Sequence, residues 1–109
     1  MLFAFLLLWG AGAYACPGDS GEPLPPAGEL EALEQALASV ASQCADHPGY
    51  LAYRGAVLNA LGRPAEAALL LERALLLDPR RAGAQIDYAE ALAALGERAS
   101  AVALLRAVL

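Results

Sequence analysis

An all-α fold, a fragment of a helix-turn-helix α-solenoid, is what this chain predicts, and three observations carry the prediction. Alanine and leucine dominate 109 residues that are 59% hydrophobic and 17% charged, while valine, isoleucine, threonine and aromatics are scarce, a balance that favours helix over strand. The stretch Gly62 to Pro79, GRPAEAALLLERALLLDP, returns in its first half 34 residues later as GERASAVALLRAVL, Gly96 to Leu109. Turn residues punctuate both copies at the same offsets, as expected of stacked two-helix units. The chain is long enough for one small domain and too apolar for disorder. Its net charge is −5, every basic residue is arginine, and only Arg80 and Arg81 are adjacent. That pattern excludes a nucleic-acid footprint.

Residues 1–15, MLFAFLLLWGAGAYA, read as a secretory signal peptide. An uncharged apolar run from Leu2 to Trp9 is followed by small residues and an A-x-A site, Ala13-Tyr14-Ala15, and the run is too short to span a bilayer. No Lys or Arg precedes it, so the terminal amine is its only positive charge. Export is expected, to the periplasm or cell envelope. Two uses of Cys16 stay open: lipidation, which would anchor the chain to a membrane, and a disulfide with Cys44, the only other cysteine, which an oxidising compartment permits.

Residues 16–28 follow as a Pro/Gly-rich linker, expected to be extended and to space the folded part from whatever the N-terminus is attached to. The helical domain is expected over 29–109. Its first helix, 29–45, places Leu30, Leu33, Leu37, Val40 and Cys44 on one face. Glu29, Glu31 and Glu34 crowd its first turns, where carboxylates suit the helix dipole. Asp46-His47-Pro48 ends it. Cys44, Asp46 and His47 lack a second cluster that would complete a metal shell, so no metal site is expected.

A repeat over 48–81 and a partial repeat over 82–109 complete the domain. Gly49, Leu58, Leu61, Gly62, Ala67, Leu71 and Leu75 recur as Gly83, Leu92, Leu95, Gly96, Ala101, Leu105 and Leu109. Gly62 and Gly96 stand where a helix stops in a left-handed turn, and Pro64 takes a first-turn position. The unit has a small residue at its eighth position (Gly55, Ala89), a large one at its eleventh (Leu58, Leu92), glycine at the fifteenth, alanine at the twentieth and a proline near its end. In these residues it resembles the tetratricopeptide repeat. Two positions depart from that pattern: Arg54 stands where the family usually has Leu, and Val108 where it usually has Ala.

The resemblance implies a protein–protein interaction or scaffold module that holds a peptide or helix of a partner on the concave face lined by the first helices. Carried over by position, that face presents Ala52, Ala56, Asn59, Ile86, Glu90 and Ala93, with Arg80 and Arg81 at the junction of the units. Members that clamp a terminal carboxylate do so with lysine and asparagine; this chain has no lysine. An exported segment of such repeats also resembles the periplasmic part of outer-membrane export proteins in which they precede a β-barrel, which keeps a longer membrane protein as the alternative. Catalysis is the contrasting class. His47 is the only histidine, the serines lack a G-x-S-x-G setting, and the glycines punctuate helices rather than cradle phosphate; no catalytic residue and no cofactor is expected. Val102, Leu104, Leu105, Val108 and Leu109 lie in an incomplete last helix, which is expected to continue or to pack on another chain, a homodimer through the C-terminal helix being the simplest form.

Overall fold

A computed structural model describes residues 15–19 and 21–108. The signal-peptide reading of residues 1–14 and the last apolar residue, Leu109, lie outside the described residues. Among those described, five α-helices follow a short 3₁₀ turn at Ala27–Glu29: α1 Leu30–Ala38, α2 Pro48–Ala60, α3 Pro64–Leu77, α4 Ala82–Ala94 and α5 Arg98–Val108. They form an all-α helical-repeat fragment. The helices α2 and α3 pack as one antiparallel pair and α4 and α5 as the next, with α4 lying against both α2 and α3, while α1 packs on α2 at the opposite end of the stack from α5.

Both pairs turn by the same local chemistry. Gly62 and Gly96 have φ of 74° and 88°, a conformation that costs glycine nothing. After each, two backbone bonds close a Schellman motif: Gly62 N donates to Asn59 O at 3.0 Å and Arg63 N to Leu58 O at 2.9 Å, then Gly96 N to Ala93 O at 3.0 Å and Glu97 N to Leu92 O at 2.8 Å. Pro48 and Pro64 open α2 and α3 at first-turn positions, where a missing N–H leaves no bond unmade.

The core is deepest around α2. Cys16, Leu30, Leu37, Cys44, Tyr50, Leu51, Val57 and Ala74 form one buried cluster, and Leu58, Ala67, Leu71, Ala84 and Ala91 form a second beside it. Gly55 makes their meeting possible: a Cβ at that residue would stand 2.5 Å from Leu71 Cγ, so only glycine lets the leucine of α3 seat against the α2 backbone.

Three sequence expectations need correction. The α-helix of residues 29–45 ends at Ala38 and gives way to turns over 39–46. Ser39 Oγ donates to Ala36 O at 2.6 Å and Tyr50 Oη to Leu37 O at 2.6 Å, while Val40 N and Ala41 N reach back only three residues; side chains compete for the carbonyls that would continue the helix. Glu34 is not part of a solvated helix start. It is 4% exposed and pairs with Arg54, with Nη2 to Oε1 at 2.7 Å and Nε to Oε1 at 2.8 Å, while Arg54 Nη1 reaches Tyr50 Oη at 3.4 Å. The hydrogen bond to Glu34, first among its causes, raises the Arg54 pKa above its ordinary value. Arg54 at a usual leucine position is thereby explained: beside the apolar contacts of Leu30 and Leu37 with α2, the first helix of the unit meets α1 through an ion pair at this residue.

The third correction concerns residues 16–28, which are irregular but do not act as a free spacer. The structure joins Cys16 Sγ to Cys44 Sγ, with Cα atoms 5.8 Å apart, and both residues are buried. Gly18 lies so close to α2 that a Cβ there would stand 2.5 Å from Tyr53 Cβ, and a Cβ at Gly49 would stand 2.9 Å from Asp19 Cα. Tyr53 Oη donates to Pro23 O at 3.3 Å. Apolar content alone did not mark this segment as packed, because its contacts are made by glycines, a backbone carbonyl and one disulfide.

Candidate functional site

Gly18, Gly21, Glu22 and Leu24 lie over α2 and α4 and form one wall of a groove of about 510 Å³. Its floor is made of small residues one or two turns apart: Gly49, Ala52 and Ala56 on α2, Gly83 and Ala84 on α4. Small side chains keep the two first helices close and leave backbone-lined space above them. Leu24 and Tyr53 supply larger apolar walls, and Glu22, Arg81 and Asp87 supply charge.

The electrostatics lean negative. Burial, and after it the neighbouring Glu90 carboxylate, raises the Asp87 pKa above its ordinary value. Burial and then Glu22 raise the Tyr53 phenol likewise. Arg81 offsets this only in part, because its Nε lies 3.2 Å from Asp78 Oδ2 in an ion pair at the turn between the units, although the two are not aligned as a hydrogen bond. The groove therefore presents small apolar surface with carboxylates at its margin.

The residues expected on the concave face and at the unit junction divide among four places. Ala52, Ala56 and Arg81 line this groove. Asn59 does not face a ligand: its Nδ2 donates to Asp87 O at 2.8 Å and ties α2 to α4. Ile86, Glu90 and Ala93 line a second hollow, between α4 and α5, of about 520 Å³. Arg80 is exposed at the turn, its N–H directed to Asp78 Oδ1 at 3.4 Å. Sequence reasoning missed Tyr53, Asp87, Glu22 and Leu24. Asp87 follows Gly83 by one helical turn and was legible in principle. Glu22 and Leu24 were not, since nothing local to a Pro/Gly-rich stretch says where it docks. His47 is exposed at the start of α2, outside the groove. Among the described residues no three His, Cys, Asp or Glu side chains are gathered as metal ligands.

Helix pairs in 34-residue register, with a Schellman turn inside each and an eighth-position small residue under a leucine, form a repeat whose sequence signature can be compared directly. Residues 58–109 match the family model of the tetratricopeptide repeat. The match runs from the last turn of α2 to Leu109, slightly less than half of the chain, and shows that this stretch is similar to tetratricopeptide repeats. Repeats of this family suggest a protein–protein interaction module and are in general non-catalytic. No curated protein and no solved structure matches the chain.

Proposed function

We propose that this is an exported tetratricopeptide scaffold module that holds an extended peptide or a helix of a partner protein, working in assembly or secretion at the cell envelope. The groove over α2 and α4 carries the reading. It is floored by alanine and glycine, walled by Leu24 and Tyr53, and open enough, at about 510 Å³, to seat a few side chains of an extended chain. Export is supported by the A-x-A site of the leading residues and by the Cys16–Cys44 disulfide, a bond that persists in oxidising compartments. The same bond uses the thiol that lipidation would need, which favours an unanchored mature chain starting at Cys16.

Two measurements test the proposal. Mass spectrometry of the protein recovered from its host is expected to show Cys16 as the first residue, two hydrogens light for the disulfide and without a diacylglycerol; a chain that retains Met1 overturns the export reading. A photo-crosslinker at Ala56, on the groove floor, is expected to capture a defined protein adduct that the same group at Leu76, 77% exposed on α3, does not. With the crosslinker kept at Ala56, Gly83→Trp, in the same groove and with nothing within 4 Å of an added Cβ, is expected to abolish that adduct without unfolding the chain. Equal capture from both sites would remove the groove from the argument.

A further inference from the structure

The hollow between α4 and α5 has an exact relative one repeat earlier, and that relative is occupied. Moving back 34 residues turns Ile86, Ala93, Ala101 and Leu105 into Ala52, Asn59, Ala67 and Leu71, positions on the face of the first pair against which α4 packs: Leu71 and Ala67 cluster with Ala84 and Ala91 of α4, and Asn59 is bonded to its backbone. The second hollow is thus a seat shaped for a helix, and among the described residues nothing fills it. It is almost wholly apolar at its centre and carries one acid and one base at its rim, Glu90 and Arg98. Both are exposed, and neither takes part in an ion pair among the described residues.

We propose that this face is a two-fold homodimer interface in which Glu90 of each copy meets Arg98 of the other. A two-fold contact requires one surface to carry both halves of every interaction. This one does. Ile86 and Val102, 42% and 46% exposed, are the protruding side chains; the space over Ala89, Ala93 and Ala101 is the recess that receives them from the second copy; and the single acid and single base become two interchain pairs. The hollow shares no lining residue with the groove over α2 and α4.

Sedimentation of the full chain with its disulfide intact is the test. The wild type is expected to be a dimer, Glu90→Arg and Arg98→Glu are each expected to weaken it about tenfold, and the double reversal Glu90→Arg/Arg98→Glu to restore it to within about threefold. Ala93→Glu, which places a charge in the apolar centre at an exposed helical position, is expected to give a monomer with an unchanged circular dichroism spectrum. Association through the apolar Leu2–Trp9 run would ignore all four changes, and that outcome overturns the proposal. So does a double reversal no tighter than either single change. A monomeric wild type that takes up a synthetic peptide of residues 82–94 would also overturn it, and would assign the seat to a foreign helix.

Discussion

Leu58 and Leu71 of the first helix pair are 1% and 0% exposed, whereas their counterparts 34 residues on, Leu92 and Leu105, are only half-buried. The local structure of the two pairs is the same: the same turn, the same glycine in it, and a small residue at the eighth position. What differs is the neighbourhood. α2 and α3 are covered by α1 and residues 16–19 and 21–24 on one side and by α4 on the other, while among the described residues α4 and α5 have a neighbour on one side only. Burial in a stacked repeat is a property of adjacent units rather than of the letters within one. A second difference is written in the letters themselves. Gly55 lets Leu71 press against the α2 backbone, but its counterpart Ala89 already carries the methyl that would hold Leu105 off.

The largest effect should come from cutting the paired leucines. Leu71→Ala empties a fully buried site and is expected to cost about 3–4 kcal/mol, against about 1 kcal/mol for Leu105→Ala, by urea unfolding. Equal costs would mean that the second pair is as well covered as the first in solution. Next comes the tie that holds residues 16–24 on the first pair. Replacing both cysteines, Cys16→Ser/Cys44→Ser, releases a loop of sequence separation 28, with an expected loss of about 3 kcal/mol in the chain-entropy account. The same variant should raise hydrogen exchange along α2 and leave α5 unchanged; uniform acceleration would deny the segment its local role.

Exchanging the eighth-position residues sharpens the comparison further. Gly55→Ala forces a methyl into Leu71 and is expected to cost about 1–3 kcal/mol by overpacking, while Ala89→Gly, which removes a buried methyl, is expected to cost about 1 kcal/mol of helix propensity. A stabilised Gly55→Ala would show that the close approach of α2 and α3 is not real. The smallest effect lies at the junction of the pairs. Because burial and Glu90 hold the Asp87 carboxyl above its ordinary pKa of 3.8, the folded chain binds that proton more tightly than the unfolded chain does. Stability is therefore lost as pH rises from the ordinary aspartate value through the raised one, and stays lost above it. Asp87→Asn is expected to stabilise the fold at pH 7 by no more than about 0.5 kcal/mol, and melting curves of the two proteins should converge below pH ~3. A gain that persists at low pH would point to helix propensity instead.

Periodicity, turn residues and composition were enough to determine the helices from α2 onward, their pairing and the Schellman turns, because each of these depends on residues within about one turn of one another. Repeat register maps onto helix faces, and Ala52 and Ala56, expected on the concave face, line the groove over α2 and α4 together with Arg81 of the unit junction. It could not decide where residues 16–24 lie, that Glu34 alone among three neighbouring glutamates is buried, or that Arg54 is the residue it pairs with. Each of those depends on a contact between residues at least 20 apart in the chain, and a glutamate or a glycine carries no mark of the distant group it will meet. Only the tertiary structure decided that Asn59 belongs to a helix contact and Ala93, one repeat later, to an unfilled seat, because the two positions share a register and differ in whether a helix packs on that face among the described residues.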